Sequence, residues 1–346
     1  MTSIYQYSKE ELTALLKGEP SYRLDQLWHG LWTEALPIDE ITTIPKSLRA
    51  RLAERFPSSL RVVNDVESDH GATRKWVFAL EDGETIETVL MHYDDRVTVC
   101  VSSQAGCAMG CTFCATGQAG YSGQLSVGHV IEQVMFAARA ASPVRLSNVV
   151  FMGMGEPLAN YATTVGAVRR LNEYRGLSAR HLTVSTVGVA PAIERLADEG
   201  LPITLAVSLH AANDDTRNEL VPLNRRYPLA RLHEACATWI ERTGRRISFE
   251  WALIDGVNDT GAAVGELADY AHSLGAHVNL IPLNPTPGYL VRGSSTQRVR
   301  EFRDALLARG VNATVRNTRG RSIAAACGQL ATVTKKQRQS LPVTAR

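Results

Sequence analysis

The sequence predicts an α/β protein, a partial barrel of about six βα units preceded by a small N-terminal accessory domain of helices plus short β-strands. Three observations carry this expectation. From residue 95 onward, apolar strand-like runs alternate with stretches of helical length, the pattern of parallel βαβ units. About six such repeats fall short of the eight that close a full barrel. Before residue 93 the rhythm is different, with short helices up to residue 57 and then strands broken by turns.

Ser8 stands where a first helix over residues 9–17 would need its cap, and Glu11 three residues on completes a capping box. Further helices are expected over 22–32 and 45–56. Trp28 and Trp32, one turn apart beside Leu24 and Leu27, read as a buried helix face rather than a base-stacking platform. Between 59 and 92, the runs Asp69-His70-Gly71 and Glu81-Asp82-Gly83 mark turns between short strands. Barrel strands are expected over 97–102, 148–152, 181–186, 203–208, 247–253, 277–282 and 312–316. Helices are expected over 127–141, 161–173, 190–199, 229–242, 262–274 and 296–309. The chain thus divides into an accessory domain (1–92), a barrel core (93–331) and a basic tail (332–346) expected to be disordered.

With 346 residues, 45% of them hydrophobic, the chain can bury a substantial core. It contains no run approaching the ~20 apolar residues of a membrane span, and its first ten residues lack the apolar stretch of a secretory signal. Six cysteines in this setting fit a reducing cytoplasm. The net charge of +2 conceals an asymmetry, because residues 289–346 hold 12 Lys and Arg against only Glu301 and Asp304. Such a basic end suits contact with phosphates.

Three cysteines lie within eight residues, Cys107-Ala-Met-Gly-Cys111-Thr-Phe-Cys114, directly after the first barrel strand. The spacing is too tight for a disulfide framework. A structural zinc would need a fourth ligand, and His129, 15 residues past Cys114, has no second histidine at zinc spacing. Three thiolates do match an iron–sulfur cubane with one iron left open. An open iron can bind a small molecule and pass it an electron, which suggests radical chemistry.

Sites on this architecture sit at the C-terminal ends of the strands. The second barrel strand runs into Gly153-Met-Gly-Glu156-Pro157, where glycines admit a close ligand and Glu156 could grip an ammonium group. The third strand ends in Ser185-Thr186, the fourth in Ser208-Leu209-His210, and the sixth leads into Asn284 and the Pro285–Gly288 turn. Each is an ordinary turn or cap residue in isolation; their convergence at one rim implies a polar pocket above the cluster. Cys327, in a small-residue segment beside Arg316, Arg319 and Arg321, reads as a nucleophile presented to nucleic acid. Cys100 lies on the first strand, and Cys236 within an amphipathic helix reads as core.

At these residues the chain resembles the RlmN/Cfr family of radical S-adenosylmethionine (SAM) RNA methyltransferases, and RlmN most. The likeness runs from about residue 86 to residue 330. Its markers are Glu87-Thr-Val, Cys100-Val-Ser-Ser-Gln, Cys107-x3-Cys111-x2-Cys114-Ala-Thr-Gly, Gly153-Met-Gly-Glu-Pro157, Ser208-Leu-His-Ala211 and Ala326-Cys-Gly-Gln-Leu330. The resemblance implies a radical-SAM barrel in which Cys107, Cys111 and Cys114 hold one [4Fe–4S] cluster. Gly155, Glu156, Ser185, Ser208, Leu209, His210 and Asn284 match the family's SAM-binding positions. It also implies two SAM molecules per turnover. One methylates Cys327, and the second, cleaved reductively, yields a radical that activates that methyl group. Cys100 then attacks the sulfur of Cys327 in a transient disulfide that releases the methylated base, and Glu87 matches the proton acceptor.

The implied target is C2 of an adenosine in 23S rRNA, with a tRNA adenosine as a second substrate. An aromatic C–H of this kind has almost no nucleophilicity, so direct methyl transfer fails and the cofactors supply the hard step. The resemblance further implies an electron donor such as flavodoxin, a monomer, no membrane contact and a cytoplasmic location. The chain departs from the family pattern at Gly123-Gln-Leu125, where a basic-Asn-Leu triplet is usual, and at Ser322-Ile-Ala-Ala-Ala326, where acidic residues are common. The rival readings are methylation at adenine C8, an iron–sulfur RNA-binding or redox protein without methylation, and radical-SAM chemistry on a small molecule.

Overall fold

A computed structural model describes residues 2–284, 292–317, 319–326 and 328–330. Cys327, the expected tail after residue 331 and the 285–291 segment after Asn284 lie outside the described residues. In chain order the strands are β1 (Arg61–Ser68), β2 (Thr73–Ala79), β3 (Thr85–His92), β4 (Val97–Cys100), β5 (Gln104–Gly106), β6 (Tyr121–Gln124), β7 (Asn148–Phe151), β8 (Leu182–Thr186), β9 (Thr204–Ser208), β10 (Ser248–Leu253), β11 (His277–Pro282) and β12 (Ala313–Val315). Ten of them form one sheet in the order β1-β2-β3-β4-β7-β8-β9-β10-β11-β12, and β5 pairs with β6 alone.

From β4 to β12 every neighbouring pair is parallel. The helices Val127–Ala141, Tyr161–Glu173, Ala190–Ala197, Leu229–Thr243, Gly261–Ser273 and Thr296–Ala308 make the crossovers. The expected rhythm of strand and helix is therefore present, each barrel strand within two residues of its expected bounds. β1, β2 and β3 pair antiparallel with one another, and β3 pairs antiparallel with β4, so the boundary expected at residue 92 crosses a continuous ladder. The buried residues of the N-terminal helices belong to the same apolar core as the barrel.

What the barrel encloses follows from period-2 alternation along its strands. Val97, Val99, Val149, Phe151, Leu182, Val184, Leu205, Val207, Phe249, Trp251, Val278 and Leu280 are buried. Each such side chain contributes about 1.5–3 kcal/mol by leaving water. The intervening positions include Thr98, Cys100, Asn148, Thr183, Ser185, Ser208, Glu250 and Asn279, which are polar or small. A closed eight-fold barrel fills its interior with branched apolar side chains. Here the same positions leave a polar lumen.

The capping box forms as expected, with Ser8 and Glu11 exchanging main-chain bonds of 2.7 and 3.2 Å. The second helix, expected over 22–32, is an α-helix only over Tyr22–Trp28 and continues as a π-turn over His29–Thr33. Trp32 is buried and packs edge-on against Tyr5 and Tyr174, and Trp28 meets the same Tyr174. These tryptophans form a core face, as their spacing suggests. No helix among the described residues is long and apolar enough to cross a membrane.

Candidate active site

The cysteine loop is the connection between β5 and β6, a small ladder that the apolar pattern of the sequence does not announce. Its neck is closed by the Cys107 amide, which donates to Gly120 at 2.8 Å. Gly106 sits there at φ +75°, and a Cβ on it would lie 2.0 Å from the Gly120 oxygen. Only glycine fits. Cys114 then occupies the N-cap position of the short helix Ala115–Ala119. The far side of the loop is held by distant chain, since Thr112 donates to Leu220 at 3.1 Å and Ala115 donates to Gly328 at 2.8 Å. The Thr116 hydroxyl adds a 2.6 Å bond to Leu330.

The three thiols act on one another's ionisation. Burial, reinforced by Glu156 and Cys114, pushes Cys107 up to about 12, and burial with the other two thiols raises Cys111 well above the ordinary thiol range. Binding a metal would therefore release protons from this loop. Among the described residues, no three His, Cys, Asp or Glu side chains converge on a single-ion site. His129, weighed as a zinc ligand, instead accepts from the Ser126 amide at 3.2 Å and caps its helix. Three soft thiols on one loop fit an iron–sulfur cluster with one open iron.

Cys111 and Cys114 line a cavity at the C-terminal ends of the strands, together with Gly155, Glu156, Ser185, Ser208 and His210. Gly155, at φ +102°, would bring a Cβ within 2.6 Å of Gln104. Both carboxylate oxygens of Glu156 accept main-chain amides, from Leu158 at 2.9 Å and Val187 at 2.8 Å. Burial raises its pKa to about 7 against the lowering effect of those amides. An incoming ammonium would use its remaining lone pairs.

His210 adopts φ +60°, a left-handed conformation uncommon outside glycine. Its Nδ1 accepts the Ala252 amide at 3.0 Å, so the proton of the neutral ring resides on Nε2. Burial, and then the charge of Arg217, holds its pKa down to about 3, and its ring meets Phe113 at 4.6 Å. Leu209 is fully buried and contributes main chain, its amide bonding Glu250 and its carbonyl accepting from Arg217.

Asn284 and Cys100 line a neighbouring cavity with Tyr93, Arg319, Ala326 and Leu330. Met152, Ile281 and Arg316 line both spaces. Cys327 itself is outside the described residues; Ala326 lines the space that Cys100 lines, and Gly328 lines the one that Cys111 and Cys114 line. Glu87 lines neither. It is buried on β3 and forms a 3.0 Å ion pair with Lys75. Cys236 is buried in its helix, as expected.

Sequence reading missed Arg217. It lies on the helix Asp214–Leu220, too short and too charged to register as a periodic element. Its guanidinium is buried and donates to Leu209 (3.0 Å), Val187 (2.7 Å) and Asn224 (2.7 Å), tying the ends of β8 and β9 together beneath the cavity. It missed Lys75 for the same kind of reason, because nothing local marks a buried lysine. Gln124, at the departure from the usual triplet, bonds Gln104 and Ala159 and so joins the β5–β6 ladder to the turn after Glu156.

Residues 101–268 match the model of the Radical SAM superfamily. The probable dual-specificity RNA methyltransferase RlmN of Frankia casuarinae is 52% identical, over 92% of this chain and 79% of that protein. The protein of the same name from Chloroflexus aurantiacus is 49% identical, over 95% of this chain and 92% of its own length. A crystal structure of a radical SAM methyltransferase from Sphaerobacter thermophilus superposes with a TM-score of 0.92 at 49% identity, covering 95% of this chain and 99% of that one. Agreement of this extent covers more than nine-tenths of the chain. The chain belongs to the RlmN family of radical SAM RNA methyltransferases.

Proposed function

We propose that this enzyme methylates C2 of an adenosine in 23S rRNA, with a tRNA adenosine as a second substrate, through a methylated Cys327. The observation that carries this reading is the course of the C-terminal segment. Ala326 borders the cavity that contains Cys100, and Gly328 borders the cavity that contains Cys111 and Cys114. In the sequence Cys327 stands between these two flanks, which border the space holding a second thiol and the space proposed for the cofactor. A protein that only binds RNA has no use for that pairing.

The cluster and SAM, when bound, supply the methyl group and the one-electron cleavage chemistry. Cys107, Cys111 and Cys114 are the proposed cluster ligands. Gly155, Glu156, Ser185, Ser208 and His210 would bind SAM at the cavity wall, Leu209 through its main chain and Asn284 from the adjoining space. His210, with its proton on Nε2, is a fixed neutral donor there. Cys327 would carry the methyl carbon as a thioether to the ring. Glu87 would take the proton lost from the ring carbon. Cys100, as its thiolate, would attack the Cys327 sulfur, forming the disulfide as the carbon–sulfur bond breaks; the electron pair goes to the released carbon, which takes up a proton to become the methyl group. A thiol reductant restores both cysteines, and a one-electron donor such as flavodoxin serves the cluster.

The test is mass analysis of nucleosides after anaerobic incubation of reconstituted enzyme with SAM, reductant and either 23S rRNA or tRNA. 2-Methyladenosine from both RNAs is the expected product. 8-Methyladenosine would move the reaction to the other ring carbon, and SAM cleavage without a methylated base would reject RNA methylation.

A further inference from the structure

Lys75 is a buried cation that the proposed chemistry does not use. It lies on β2, paired in register with Val89 of β3, which pairs in turn with Cys100 of β4. Lys75, Val89 and Cys100 thus form one row across three strands, on the same face of the sheet. Glu87, two residues before Val89, shares that face. The Lys75 ammonium lies 3.0 Å from the Glu87 carboxylate and donates to the Ala324 carbonyl at 3.1 Å. Both side chains are almost wholly buried, at 10% and 3% exposure.

An ion pair serving stability alone would join two groups, and well-packed apolar residues would serve that purpose as well. Here the same ammonium spends a second donor on the main chain three residues before Cys327. The accessory strands grip this segment elsewhere too. Asp69 accepts the Gly320 amide at 2.8 Å and the Thr73 hydroxyl at 2.7 Å. A Cβ on Gly320 would come within 2.7 Å of Ala325 and 3.0 Å of Thr73, so segment and strand are in close contact. Arg319 stacks over Tyr93, 4.8 Å from the ring centroid.

We infer that Lys75 is a positioning residue for methyl transfer: its single ammonium fixes the carboxylate of Glu87 and the segment bearing Cys327 relative to each other. The inference rests on the proposed roles of Glu87 and Cys327. The two groups must meet the same ring carbon, one removing its proton and the other attached to it through the methyl carbon. One cation bonded to both sides holds that geometry before RNA arrives.

The experiment compares full-length, cluster-reconstituted wild type with Lys75→Met and Lys75→Arg. In Lys75→Met, iron content and SAM cleavage should stay near wild type. The kcat for RNA methylation should fall roughly 10²-fold with KM for RNA little changed, because proton removal is misplaced rather than binding lost. A covalent protein–RNA adduct through Cys327 should accumulate on denaturing gels, and Lys75→Arg should recover at least about tenfold of the rate. A purely structural lysine would move melting temperature and iron content together and leave no adduct. Wild-type kcat in Lys75→Met, a loss confined to KM, or a Lys75→Met/Glu87→Gln double variant slower than Glu87→Gln alone would each overturn the inference. If Lys75→Met does not fold, the same cycle with Lys75→Arg and Glu87→Gln decides it, and additive losses there reject it. If wild type methylates no RNA, the proposed function fails separately. Hydrogen exchange over 319–326 then tests the clasp, with unchanged protection in Lys75→Met rejecting it and lost protection supporting it.

Discussion

At the strand-end rim, the groups around the cavity come from short stretches of chain. Cys107, Cys111 and Cys114 share one hairpin, and Glu156 caps the turn directly after its own strand. At the seam between β2 and the C-terminal segment, partners are remote, with Lys75 reaching Ala324 across 249 positions and Asp69 reaching Gly320 across 251. The rim residues are placed by local turns, and only the far side of the cysteine loop waits for Leu220, Gly328 and Leu330. The seam exists only once the whole chain has closed, so the two regions should fail in different ways.

The largest effect is expected at the rim. Cys111→Ala should abolish iron binding and SAM cleavage while leaving far-ultraviolet circular dichroism unchanged, because one of the three proposed ligands is gone and the hairpin ladder is not. Gly106→Ala should approach the same loss through geometry alone, since its Cβ would lie 2.0 Å from a main-chain oxygen. Iron analysis after reconstitution checks both, and a normally loaded Gly106→Ala protein would mean the loop is less constrained than its neck suggests.

Arg217 joins rim to core. Arg217→Met takes the guanidinium donor from the Val187 carbonyl and from Asn224, leaves Leu209 only the Ala211 amide, and should destabilise the protein by about 3 kcal/mol, read from urea midpoints. A slightly smaller effect comes from pH. His210 has a folded pKa of about 3 against about 6.5 when unfolded, so its contribution is complete above pH 6.5 and is lost as pH falls toward 3. Wild type should therefore lose about 2 kcal/mol relative to His210→Gln between pH 7 and pH 5. Glu156, whose pKa is raised to about 7, titrates with the opposite sign in both proteins and cancels from that difference. Parallel pH profiles would show that His210 is charged or exposed in the folded state.

The smallest effect should be at the seam's outer clasp. Asp69→Ala removes partly buried bonds to Gly320 and Thr73 and should cost about 1 kcal/mol locally, seen as faster exchange of the Gly320 amide with iron content unchanged. If that change also lowered iron content, rim and seam would be one cooperative unit and the contrast between them would disappear.

Period and length were enough to locate the barrel strands and the long crossover helices, because Val, Leu and Phe alternating with polar residues mark a sheet face wherever they occur. The cysteine loop was legible for a different reason, since three thiols at fixed spacing have few chemical uses. The ladder of β5 and β6 was not, because Tyr121–Gln124 is exposed and short and carries no apolar alternation. The π-turn at His29–Thr33 was hidden as well, since the close packing of Gly30 against Ile41 is a tertiary contact.

By itself the sequence determined the α/β rhythm, the three-cysteine loop and the identities of the polar residues at the strand ends, all of which depend on residues near one another in the chain. Tertiary structure alone decided that the accessory strands continue the barrel sheet, that Asn284 borders the space beside Cys100, that Arg217 ties the strand ends together, and that Lys75 touches both Glu87 and Ala324. Spacing along a chain reports neighbours within a turn or a strand. Which distant polar groups become buried together is set by how the whole sheet closes, and a lone lysine or arginine carries no local mark of the partner it will meet.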